Sequence, residues 1–312
     1  MEPEGMRQLF NEKNRDLIVN IGGTLVHRDQ AGVSPFDSSV QNGDAVWEGL
    51  RLYDGRIFRL TAHLDRLHDS ARALQYADIP SHDVIRREIH RTLDANAMHD
   101  GVHIRLTLSR GLKYTSGLDP RINTFGPLLI VLAEHKPPVY DKTGITLKTS
   151  GHRRPSSDVL DQKIHSCNQL TSILAKLEAN AAGADDALML DTHGFIAETN
   201  ATHVFIVRNG IVRTPTTAAC PEGITRQAVL DMCQQHEVPC EVTNLTLAEV
   251  YRADEMFCTG TMGELAAVMS VDGRMIGAHR PDQAGVVGPV TQKLSALFRD
   301  MVEREAEAIL MA

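Results

Sequence analysis

NQLTSILAKLEANAAGADDALMLDTHGFIAETNATHVFIV, residues 168–207, decides the class of fold. Its first half repeats large apolar residues at helical spacing. Leu170, Ile173, Leu174 and Leu177 fall on one face of a helix over 168–182. The second half changes period. ALML, GFIAE and VFIVRNGIVRTP are short apolar runs broken by turns, the pattern of strands. Asn209-Gly210 inside the last run marks a type I′ hairpin. A helix leading into several short strands implies an α+β fold.

The same grammar extends outward. LIVNIGGTLVHR and AVWEGLRLYDGRIFRL read as strands, with a hairpin at Asp54-Gly55. Helices are expected over 61–76, with Leu64, Leu67, Ala71 and Leu74 as a buried stripe, and over 81–96. In GVHIRLTLSRG, Val102, Ile104, Leu106 and Leu108 alternate with His103, Arg105, Thr107 and Ser109. PLLIVLAE at 127–134 is more uniformly apolar and reads as a central strand. SGHRRPSSD is polar and rich in proline and serine, so it reads as a linker. Two domains are expected: a small one over 1–149 and a larger one over 161–312, joined by 150–160. GITRQAVLDMCQQH and the stretch from about Thr291 read as helices.

Composition narrows the function. The hydrophobic content of 42% and charged content of 23% suit a soluble globular protein. A formal charge of −8 argues against a nucleic-acid partner. Five cysteines without a CxxC pair read as free thiols of a reducing compartment. The N-terminus MEPEGMRQLFNEKNRD has no signal-peptide core, and no segment reaches membrane-spanning length. A cytoplasmic protein is expected. The 14 histidines lack metal-ligand spacing, and neither a Walker loop nor GxGxxG after a strand is present, so no metal is expected.

Chemistry is suggested at five places. Glu222-Gly223-Ile224-Thr225 opens a helix, and Thr259-Gly260-Thr261-Met262-Gly263-Glu264 ends a strand. Glycine lets backbone N–H groups approach an anion, and a helix N-terminus adds its dipole. Either turn alone is equally a cap. Arg66 in HLDRL lies off its helix's apolar stripe, as a ligand-facing or an ordinary solvated arginine would. Glu198 ends an apolar strand, either exposed or placed to pair with a protonated ring nitrogen. His103 and Arg105 share a strand face suited to solvent or, in a cleft, to carboxylates.

GDAVWEGLRLYDG, FRLTAHLDRLHDSA, the opening stretch, GITRQAV and ADEMFCTGTMGEL occur in order along nearly the whole chain. Together they resemble the class IV aminotransferases, pyridoxal phosphate enzymes of fold type IV, and above all their branched-chain branch. The resemblance implies a two-domain α+β fold, a homodimer, and pyridoxal 5′-phosphate bound at the domain interface. It places Arg66, Gly223, Ile224, Thr225, Gly260 and Thr261 on the phosphate and Glu198 on the pyridine nitrogen. It places Trp47, Gly49, His103, Arg105 and Met262 at the substrate. The implied reaction moves an amino group between an amino acid, branched-chain-like for preference, and a 2-oxo acid. A D-amino-acid aminotransferase or an aminodeoxychorismate-lyase-like enzyme is the alternative.

One departure matters. In most relatives the cofactor-binding lysine lies three or four positions before the asparagine that matches Asn168. Here Lys163 lies five before it, and His165 stands three before it. Either the loop is longer and Lys163 is the amine, which the chemistry favours, or His165 has replaced it. The second case would leave a non-catalytic binder of a phosphorylated ligand. Gln169 stands where a tyrosine on the cofactor's phenolic oxygen is common, and His203 where asparagine is frequent.

Overall fold

Alternating core residues write the first sheet. In a computed structural model, which describes residues 9–140, 143–279 and 285–310, the chain forms two compact units. The first contains the described residues up to Val139, with Ile164–Asn168 and the segment from Arg304. Its strands are β1 (Ile18–Ile21), β2 (Thr24–His27), β3 (Ala45–Tyr53), β4 (Arg56–Phe58), β5 (Val102–Ser109), β6 (Leu128–His135) and the last strand of the chain, β16 (Ala306–Ala308). They pair in the order β16-β4-β3-β5-β6-β1-β2, antiparallel throughout. Asp54 and Gly55 take φ of 46° and 74° in the β3–β4 hairpin, as a type I′ turn requires.

Its helices are α1 (Ser38–Asn42), α2 (Leu60–Ala73) and α3 (His82–Ala95). Leu60, Leu64, Leu67 and Ala71 of α2 join Ile85, Ile89 and Leu93 of α3 in one core. Val102, Ile104, Leu106 and Leu108 of β5 complete it, as their alternation predicts. β6 lies inside the sheet as expected, but only every second residue is buried, so it is not the doubly covered strand its apolar run suggests.

The second unit holds Tyr140–Lys163 and Gln169–Glu303. Its strands are β7 (Ile145–Arg153), β8 (Asp186–Leu190), β9 (Ile196–Thr199), β10 (His203–Arg208), β11 (Ile211–Thr214), β12 (Cys240–Val242), β13 (Glu255–Gly260), β14 (Glu264–Val271) and β15 (Arg274–Met275). The mixed sheet runs β12-β11-β10-β13-β14-β7-β8-β9, with β15 on β14. Its helices are α4 (Ser157–Leu160), α5 (Leu170–Ala181), α6 (Ile224–Gln235), α7 (Leu247–Tyr251) and α8 (Pro289–Glu305), whose last turn passes into the first unit.

Two expectations change here. Residues 150–160, expected as the linker, form the end of β7 and α4 within the second unit. Their polar side chains have partners there: Ser150 Oγ donates to Glu178, and Arg153 to the Ser150 carbonyl. The chain instead changes unit at Val139/Tyr140 and returns to the first unit at 164–168 and from Arg304, so the two domains are not continuous segments. Helix α5 carries its four large residues on one face, but that face is turned outward. Leu170 is 73% exposed and Leu177 57%, while Ser172, Ala175 and Ala179 are buried. Small residues let the helix lie close to β7 and β8, where Ala175 and Ala179 pack with Ala187 and Met189.

Candidate active site

Strand parity separates two sets of residues in the first unit. Val46, Leu50 and Leu52 are fully buried in the core, and Glu48 falls on the same side of β3. Trp47, Gly49 and Arg51 fall on the other, opposite Thr107, Arg105 and His103 of β5. A carboxylate on the core side must be compensated. Arg66 of α2 donates Nε to Oε1 and Nη2 to Oε2, both at 2.7 Å. His63 Nδ1 lies 2.7 Å from Oε2. Burial alone would raise the Glu48 carboxyl; the Arg66 charge and then His165 reverse this and hold it well below the usual range.

Residues 164–168 run along the β3 edge. Trp47 N–H donates to the His165 carbonyl at 3.0 Å, and Cys167 N–H to the Ala45 carbonyl at 2.7 Å. The His165 ring stacks on Trp47 at 4.3 Å, and its Nδ1 lies 3.1 Å from Glu48 Oε1. Trp47 Nε1 is tied to the Ser166 carbonyl. The Arg105 guanidinium stands 3.6 Å from the Trp47 ring centre. Burial, then the charges of Lys136, Arg105 and Arg51, push the His103 imidazole down to about 3, so it is neutral at pH 7. Gly49 leaves room between His103 and Trp47, each within 3.5 Å of where a Cβ would stand.

In the second unit Glu198 lies on β9 and is buried rather than an exposed strand end. Its Oε1 meets Arg154 Nη2 at 2.8 Å, and His203 Nδ1 is 3.8 Å from Oε2. Gly223 is the N-cap of α6 and has no side-chain cap. A Cβ there would come within 2.2 Å of His203 Cδ2, so glycine is what lets the imidazole lie against the helix start. Thr225 is buried in the first turn. Gly260 ends β13, and Thr261, Met262 and Gly263 turn the chain into β14. Gly263 lies under the Tyr140 ring, and Gly260 against Thr202. Gly223→Ala is expected to destabilise the protein by about 1–3 kcal/mol, read from its urea midpoint. A variant as stable as the wild type would mean His203 can leave at no cost.

Glu198, His203 and Cys220 offer donor atoms within 4.8 Å of one another. Burial followed by the Glu198 charge pushes the Cys220 thiol up, away from the thiolate a metal binds. Lys163 is half-exposed, and its Nζ lies 3.1 Å from Glu222 Oε1. Glu48, His63 and Arg154 were not singled out from the sequence.

Residues 45–271 match the family model described as Amino-transferase class IV. The chain belongs to the class IV aminotransferases. Among relatives of this family, it is 48% identical over 292 residues to the branched-chain-amino-acid aminotransferase-like protein 2 of Arabidopsis thaliana, covering 93% of this chain and 51% of that protein. It therefore spans about half the length of that relative. It is 38% identical to a putative branched-chain-amino-acid aminotransferase of Methanocaldococcus jannaschii, covering 91% of this chain and 96% of that one. The T.th. branched-chain amino acid aminotransferase, solved with N-(5′-phosphopyridoxyl)-L-glutamate, superposes with a TM-score of 0.84 at 28% identity, over 94% of this chain and 99% of that one. The α+β fold of this class IV member is fold type IV, as the sequence motifs imply.

Proposed function

We propose that the chain is a pyridoxal-phosphate-dependent aminotransferase moving an amino group between an amino acid, branched-chain-like for preference, and a 2-oxo acid. The names of its relatives support the reaction class. The observation that carries the reading is Glu198, a carboxylate buried on a strand and held by Arg154. A group of that kind suits the protonated nitrogen of a pyridine ring. The start of α6, which has no side-chain cap, suits a phosphate bound by backbone N–H groups.

In this reading Ile224, Thr225, Gly260 and Thr261 hold the phosphate. Pyridoxal phosphate, when bound, supplies the electron sink that stabilises charge left by loss of the α-proton. Lys163 supplies the primary amine, and its Nζ, when neutral, takes and returns that proton. Arg105 receives a substrate carboxylate, beside Trp47, Gly49 and His103. The outward stripe of α5 supports a homodimer. Among the described residues no helix is long and apolar enough to cross a membrane, which agrees with the cytoplasmic location we also propose.

The test is reconstitution. Purified protein mixed with pyridoxal phosphate is expected to stay yellow through dialysis, and borohydride is expected to fix the cofactor on Lys163, read by peptide mass. A chain that retains no cofactor sinks the proposal. Cofactor retained without a covalent adduct returns the non-catalytic reading.

A further inference from the structure

Glu48 fixes the tautomer of His165. Its two oxygens accept from four nitrogens: Arg66 Nε and His165 Nδ1 at Oε1, Arg66 Nη2 and His63 Nδ1 at Oε2. A carboxylate has about four acceptor positions, so all are occupied. An ionised carboxylate cannot donate, so both imidazoles must carry their proton on Nδ1. One guanidinium already balances the one carboxylate, and burial, then the Arg66 charge, lower the His165 imidazole from its ordinary value. Its Nε2 therefore carries a lone pair at pH 7.

The two imidazoles differ in access. The His63 side chain is 2% exposed, whereas that of His165 is 12% exposed. His165 is also rigid. Its ring stacks on Trp47, and its backbone N–H donates to Ser70 Oγ at 3.0 Å. The charged or titratable groups around the ring are Glu48 on β3, His63 and Arg66 on α2, Arg105 on β5 and Cys167 beside it. The arginines attract a carboxylate but repel an amino group. Glu48 is saturated. Nε2, without a hydrogen-bond partner among the described residues, is the acceptor left in this cluster.

We propose that His165 is a substrate-contact residue whose Nε2 accepts a hydrogen bond from the amino group of the incoming amino acid. This rests on the aminotransferase reading above. It gives the site a group that distinguishes the amino donor from the 2-oxo acid, which carries no N–H. Once His165 is protonated the acceptor becomes a donor. The KM for amino donors therefore rises on the acid side of the ordinary imidazole value of 6.5, while that for the oxo acid does not.

His165→Asn tests it, because the amide keeps a donor towards Glu48 and removes Nε2. The KM for amino donors is expected to rise about 10-fold or more, with the oxo-acid KM changed less than about 2-fold and the acid limb gone. His165→Gln, whose amide reaches the place of Nε2, is expected to recover part of the loss. In the cofactor-free chain, imidazole nitrogen resonances are expected to show His165 protonated on Nδ1 and bare on Nε2 at pH 7. Equal changes in both KM values, no change in either, or a proton on Nε2 overturns the proposal. A wild-type chain that transfers no amino group overturns the aminotransferase reading itself, and the tautomer measured without cofactor separates the two failures.

Discussion

Lys163→Ala is expected to remove both the borohydride-stable adduct and amino transfer, the latter by at least about 10²-fold. The spacing to Asn168 leaves two candidates for the position, and their surroundings distinguish them. His165 is committed to the first unit: Nδ1 faces Glu48, the ring lies on Trp47, and both backbone polar groups are bonded. An imidazole so held also offers no primary amine. Lys163 has a half-exposed side chain whose ammonium, among the described residues, meets another exposed group, Glu222. An exposed pair of that kind holds a side chain weakly. On the proposed function, the Lys163 amine is the one expected to take the cofactor carbonyl. Peptide mapping of the reduced holoenzyme, followed by single-turnover measurement on Lys163→Ala, checks this. Unchanged turnover, or an adduct on another lysine, would remove Lys163 from the chemistry.

Much of the fold is legible because its signals are local. The hairpins at Asp54-Gly55 and Asn209-Gly210 need two successive positive φ angles, and the dipeptides announce them. The alternation in β5 and the stripe of α2 name their own buried faces. The outward turn of α5 is not legible in the same way. Its Leu170, Ile173, Leu174 and Leu177 obey helical period, but burial was decided by the small residues Ser172, Ala175 and Ala179, which allow closer approach to the sheet. Arg154 was hidden for another reason. Two arginines before a proline look like a solvated connection, and the buried partner, Glu198, is 44 residues away along the chain. Glu48, by contrast, carried a signal that parity could have revealed. In VWEGLRL it occupies the side taken by Val46, Leu50 and Leu52, so a carboxylate was due in the core and its cations had to be found.

Those cations make Glu48→Gln the substitution with the largest expected effect on stability, a loss of about 3–5 kcal/mol. The amide has the same shape but only one accepting oxygen. Its NH₂ group would face two N–H donors. An imidazole can answer by moving its proton to Nε2, but the Arg66 guanidinium cannot, and its largely buried charge loses its counter-ion. Trp47 is the single tryptophan and lies beside Glu48 on β3, so its fluorescence in urea reports on this unit. The acid dependence supplies a second check. Glu48 titrates lower in the fold than its ordinary value near 4.5. Its contribution is therefore complete above that value and is lost as pH falls through the folded one. The gap between wild type and Glu48→Gln should be widest near neutral pH and close in acid. A variant with the wild-type urea midpoint at pH 7, or a gap that acid leaves unchanged, would mean that the four bonds to this carboxylate do not hold the unit together.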